Sequence, residues 1–126
     1  MIDADRLRAS LVEARERADG AARRSGRAPE DVEIVLAGKY VPADQAHALV
    51  AAGAPVIGEN RLQDLEAKRA AVGDALVFDF IGHLQRRKVP AVLAATRLIH
   101  SVDSERLVET IAAHATGPTR VLIEVN

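Results

Sequence analysis

Lys39 is the residue of this chain with the clearest chemical potential. It ends the run Glu33-Ile34-Val35-Leu36-Ala37-Gly38-Lys39-Tyr40-Val41-Pro42. The apolar stretch Ile34 to Gly38 predicts a strand buried on both faces, as parallel strands are. An ammonium at the end of such a strand is costly to desolvate unless it is paired or neutralised. Pro42 suits the first turn of a helix, so Lys39 is expected at a strand-to-helix turn. Ligands of α/β folds meet the protein there, at the carboxyl ends of parallel strands. The competing reading is a surface lysine that snorkels to solvent.

Other polar residues fall at comparable positions: Glu59-Asn60, His83, Ser101 to Asp103 and Asn126 each close an apolar run. Asn60, Asp103 and Ser104 can also be helix caps. His83 can be an exposed turn residue, and His100 can alternate outward from a strand. Their convergence on one rim sets a site reading level with those alternatives. The run Arg86-Arg87-Lys88 would oppose a helix macrodipole, so it reads either as cations that serve an anion or as a solvated basic loop before a helix starting near Pro90, the second being favoured. No glycine-rich phosphate loop is present, and no nucleophilic serine elbow. His47, His83, His100 and His114 lack metal-ligand spacing.

The elements that position these residues follow from periodicity. Leu7, Leu11, Ala14 and Ala18 predict a helix over residues 3 to 24, with Asp3 as N-cap and an end at Ser25-Gly26. A strand over about 33 to 38 precedes a helix over about 43 to 52. Pro55 to Gly58 is a short strand, followed by a helix over about 60 to 71 carrying an Asp64/Lys68 surface pair. Leu76 to Ile81 and Leu98 to Val102 are further strands, with helices near 85 to 95 and 105 to 115. Arg120 to Asn126 closes the series. Five strands, each preceded by a helix, imply a parallel sheet with right-handed crossovers in a single domain over residues 1–126.

The chain has 126 residues, 48% hydrophobic and 28% charged, which suits one soluble core. Aromatic residues are only 2%, so Ala, Val, Leu and Ile must build that core. A net charge of −1 gives no bulk attraction to nucleic acid. The lack of cysteine removes disulfides and thiolate chemistry and fits a reducing cytoplasm. No signal peptide and no membrane-spanning apolar run are read in the sequence.

Taken in order, Leu36-Ala37-Gly38-Lys39, Ile57-Gly58-Glu59-Asn60, Phe80-Ile81-Gly82-His83-Leu84-Gln85-Arg86-Arg87-Lys88, Ile99-His100-Ser101-Val102-Asp103-Ser104 and Val121-Leu122-Ile123-Glu124-Val125-Asn126 resemble the pyridoxal phosphate homeostasis (YggS/PROSC) proteins. The resemblance covers essentially the whole chain and implies a barrel related to the N-terminal domain of alanine racemase. It implies that pyridoxal 5′-phosphate is held as a Schiff base on Lys39, with Asn60 near the cofactor, and it implies no well-established catalytic reaction. Partial burial of Lys39 would favour the neutral amine that such a linkage needs.

The sequence departs from the family pattern in three ways. Phe78-Asp79 stands where Trp-His is usual, Arg87 replaces an asparagine, and the series stops after a fifth strand of an eight-stranded barrel. The expectation is therefore an α/β fold, a partial (β/α)8 TIM-type barrel truncated before its phosphate-binding half, with weak cofactor binding. Its open edges predict self-association or a complementing C-terminal half as partner. The rivals are an open doubly wound binding module, a racemase- or decarboxylase-type fragment and a non-functional remnant. Strand order separates barrel from doubly wound sheet.

Overall fold

The computed structural model describes all residues, Met1–Asn126, and its five strands pair in parallel in the order β1-β2-β3-β4-β5. The order is sequential, with no reversal at a switch point, so the sheet is a stretch of barrel wall and not a doubly wound sheet. The strands are β1 (Leu36–Ala37), β2 (Ile57–Glu59), β3 (Phe78–Phe80), β4 (Leu98–Val102) and β5 (Arg120–Ile123). The helices are α1 (Ala4–Arg24), α2 (Ala46–Ala52), α3 (Leu62–Val72), α4 (Val89–Ala95) and α5 (Glu105–His114). No helix is long and apolar enough to cross a membrane.

Local chemistry sets the helix limits. Asp3 caps α1 by accepting from the Asp5 and Arg6 amides, and Ser25 closes it. Ser104 caps α5 by accepting from the Leu107 amide. The expected helix over 43 to 52 is α-helical only from Ala46, because Ala43–Gln45 form a 3-10 turn after Pro42. Arg86–Lys88 likewise make a 3-10 turn, exposed at both arginines, before α4 begins at Val89.

The two faces of the sheet differ. Ile57, Phe78, Phe80 and Ile99 turn toward the helices and join Leu49, Leu65, Val89, Val92 and Ile111 in the main core cluster. Ala37, Gly58 and Asp79 stand in register on the other face, which is the concave face of a barrel wall. β1 is the largest departure from expectation. Only Leu36 and Ala37 are strand, Ile34 to Leu36 are half-buried, and Ala37 is exposed. An edge strand has ladder hydrogen bonds on one side only, here to β2, so the apolar run is less paired and less covered than its composition suggests.

Gly82 lets the loop after β3 approach the end of β2. A Cβ on Gly82 would lie 2.3 Å from the Asn60 carbonyl oxygen and 2.6 Å from its Cα. That neighbour is backbone and cannot swing away. Gly82→Ala is therefore expected to push the end of β2 from the loop after β3 and to cost about 1–3 kcal/mol, the range for overpacking. Urea unfolding of the variant checks this, and wild-type stability would show that the loop relaxes freely.

Candidate functional site

The rim at the carboxyl ends of the strands is built from three turns. Lys39 follows β1 directly and is exposed, with Nζ 5.0 Å from the centroid of the Tyr40 ring. The expected partial burial of Lys39 is not found, because the concave face beside it is open. Val41 N–H donates to the Gly38 carbonyl at 2.9 Å, so the lysine sits in a tight turn rather than on a loose loop.

Asn60 follows β2 in the equivalent place. It does not cap α3: the residue at that position is Arg61, and no side chain serves there. Its Oδ1 is buried and has no hydrogen-bond partner. A buried acceptor without a donor costs free energy, so this atom marks a place where a ligand or water would be satisfied. Ser101 is buried and donates to the Gly82 carbonyl at 2.5 Å, tying β4 to the loop after β3. His83, Asp103 and Asn126 lie exposed and are not drawn into one cluster with Lys39. No group of acidic or histidine side chains is arranged to hold a metal ion.

Behind the rim lies a pair that sequence reasoning missed. Glu59 and Lys68 are both essentially fully buried, and Lys68 Nζ is 2.6 Å from Glu59 Oε1. The expected Asp64/Lys68 surface pair does not form among the salt bridges, because Lys68 turns inward. A signal existed: Lys68 follows Leu62 and Leu65 at threefold spacing and so shares their buried stripe. Neither Glu59 oxygen has a well-aimed hydrogen bond. Burial raises the Glu59 carboxyl above its ordinary 4.5, while the bond and charge of Lys68 pull it down and Asp64 adds a smaller upward push. Gly38 makes room for the pair, since a Cβ there would lie 2.3 Å from Glu59 Oε1. The carboxylate thus packs against the residue before Lys39. Lys39, Tyr40, Pro42, Asp64 and Lys68 line a shallow depression of about 350 Å³ beside it.

A second network lies on the concave face. Asp79 is fully buried and takes a bidentate grip from Arg97, Nε to Oδ1 at 3.0 Å and Nη2 to Oδ2 at 2.7 Å. Arg97 also pairs with Glu33, and these bonds, the one to Asp79 foremost, raise its already high pKa. His100 Nε2 lies 2.8 Å from Asp79 Oδ2, so His100 does not simply alternate to solvent. Sequence reading marked Asp79 only as a departure from a pattern; its partners lie 18 and 21 residues away.

Comparison with known proteins places these features in context. No family model matches the chain. It is 36% identical over 115 residues to the pyridoxal phosphate homeostasis protein of Aquifex aeolicus, covering 88% of this chain and 50% of that protein. The protein of the same name from Pseudomonas aeruginosa is 31% identical over 110 residues, covering 84% and 48%. The chain therefore spans about half the length of the curated relatives it matches. A crystal structure of an unknown protein from Bifidobacterium adolescentis superposes with a TM-score of 0.76 at 28% identity, covering 90% of this chain and 52% of that one. PipY of Synechococcus elongatus, solved with PLP bound, gives 0.63 at 32% identity over 77% and 47%.

The buried pair makes an energetic prediction. Removing the cation by Lys68→Met strands a buried carboxylate and is expected to cost about 3–5 kcal/mol, whereas the double variant with an apolar pair, Glu59→Leu with Lys68→Met, is expected to be neutral or up to about 1–4 kcal/mol more stable. The pH dependence has a definite sign. A folded pKa above the unfolded one contributes stability that is complete below 4.5 and is lost as pH rises through the folded value. Urea unfolding across acidic to neutral pH should show this falling limb in the wild type and not in the double variant.

Proposed function

This chain belongs, over the stretch it spans, to the pyridoxal phosphate homeostasis protein family, and on that premise we propose that it binds pyridoxal 5′-phosphate as a Schiff base on Lys39. The observation that carries the reading is the pairing of Lys39 with Asn60 on adjacent strand ends. One supplies an exposed primary amine and the other a buried amide oxygen with no partner. The cofactor supplies an aldehyde that condenses with an amine. Lys39 would anchor it, and Asn60 would accept a hydrogen bond that no group in the chain provides. The fit is chemical: an amine free of ion pairs is available to a carbonyl carbon, and an orphaned acceptor gains a donor. Asp79, Arg97 and His100 give the concave face polar groups beside and below that rim. Cofactor binding is the proposed role, and a reducing cytoplasm is its proposed setting.

Reduction with borohydride in the presence of pyridoxal 5′-phosphate tests the assignment. Peptide mapping is expected to place the adduct on Lys39, and Lys39→Ala to abolish it. An adduct of wild-type occupancy in Lys39→Ala would refute it. Asn60→Asp is expected to weaken binding while leaving α3 as stable as before, because Asn60 does not cap that helix.

The same reading extends to a partner. β1 and β5 are the sheet edges, and Leu122, Ile123 and Val125 are exposed at β5 and just beyond it. Unpaired apolar edges are templates for further strands. We propose that strands corresponding to the family's remaining barrel pair there, in the same chain or in trans. Sedimentation of this 126-residue chain with the C-terminal half of the Aquifex aeolicus relative is expected to show a complex and tighter cofactor binding. A monomer indifferent to that half would overturn this part.

A further inference from the structure

The concave face carries an oriented histidine that the cofactor assignment does not use. Asp79 is ionised, because Arg97 donates to both its oxygens. An ionised carboxylate only accepts. His100 Nε2, 2.8 Å from Asp79 Oδ2, must therefore carry the proton of that bond. The neutral ring then has its lone pair at Nδ1. No group in the chain bonds Nδ1, and the side chain is 25% exposed. The charged groups around the ring are Asp79, Arg97 and Glu33, with Arg120 on β5 registered to Leu98.

Register puts this acceptor at the level of the proposed site. Ala37 pairs with Gly58, Gly58 with Asp79, and Phe80 with Ile99. One alternation further on, Lys39, Asn60, Ile81 and His100 occupy one row. A Cβ on Gly58 would meet Ile81 and Val35 side chains at 3.0 to 3.1 Å, so the row continues the concave face. Strands about 4.8 Å apart put β1 and β4 about 14 Å apart along the sheet, and less across its curve. Two extended side chains and one ligand ring span that gap.

We propose that His100 is a ligand-contacting residue of this site, accepting a hydrogen bond from a ligand N–H or O–H at Nδ1. Asp79, gripped by Arg97, is the positioning residue that holds it in the Nε2–H form. The proposal rests on the cofactor reading for its ligand, but its geometry is testable without one. In the ligand-free chain, nitrogen-15 spectra of the histidine rings at neutral to alkaline pH are expected to show His100 as the Nε2–H tautomer. Asp79→Asn is expected to release it into a mixture. A His100 found as Nδ1–H overturns the inference and leaves the Lys39 assignment standing.

Two variants then separate contact from scaffolding. The amide of His100→Gln reaches the place of Nε2 and keeps the bond to Asp79. That of His100→Asn reaches the place of Nδ1 and keeps the acceptor. Pyridoxal 5′-phosphate is expected to bind about tenfold more weakly to His100→Gln than to His100→Asn, the size of one unmade hydrogen bond. Urea stability is expected to run in the opposite order. If both measurements rank the variants alike, His100 only supports the fold and the inference fails. If borohydride traps nothing on Lys39 in the wild type, the parent reading fails, and His100 loses its proposed ligand whatever its tautomer.

Discussion

The buried contact between Glu59 and Lys68 sets the geometry on which the rim depends. Two charges removed from water cost several kcal/mol each, and their attraction repays this only when the geometry is fixed. Here α3 supplies the cation, the end of β2 supplies the anion, and Gly38 leaves the space between strands in which the carboxylate lies. The pair therefore ties α3 to the ends of two strands, and each strand end carries a rim residue: Lys39 follows Gly38, and Asn60 follows Glu59. An apolar pair of similar volume would suit stability at least as well. What the ion pair adds is position: a carboxylate seeking its ammonium has one favourable arrangement, whereas packed methyl groups have several.

The sheet separates two kinds of chemistry. Toward the helices, aliphatic side chains and the chain's only two phenylalanines, Phe78 and Phe80, form one core cluster. On the concave face, small residues, Ala37 and Gly58, leave space above a charged network of Asp79, Arg97, His100 and Glu33. A core poor in aromatics is shallow, so the helices must lie close to the strands. Alanine-rich stretches such as Ala46 and Ala52 of α2, both buried, permit that approach.

Much of this organisation was legible in the sequence. Periodicity and turn residues marked all five helices and all five strands, because those signals act within a few residues. Asp3 and Ser104 were recognisable as caps for the same reason. Lys39 stood out because an ammonium closes an apolar run. Strand lengths were overestimated at β1, where apolar composition promised burial that only a second neighbouring strand could provide. Asn60 was open to a capping role that the backbone assigns to Arg61. Glu59–Lys68 and the Asp79 network were not legible, since each joins residues on separate elements and depends on register. Helical spacing of Lys68 with Leu65 hinted at burial but could not name its partner.

Asp79 shows how a departure from a family pattern can be physically connected. A carboxylate placed in the middle of a buried strand cannot remain charged alone. Arg97 takes both of its oxygens, and Glu33 takes the remaining face of Arg97. Once Asp79 is held in this way, it can only accept from His100, which settles the ring's tautomer and leaves Nδ1 to the concave face. A substitution on β3 thereby decides what β4 can offer a ligand. The consequence reaches beyond one residue: restoring the usual histidine at position 79 would leave Arg97 facing a second potential cation and would remove the acceptor that orients His100. Positions 79, 97 and 100 therefore act as one unit, and changes among them should be read together rather than as independent substitutions.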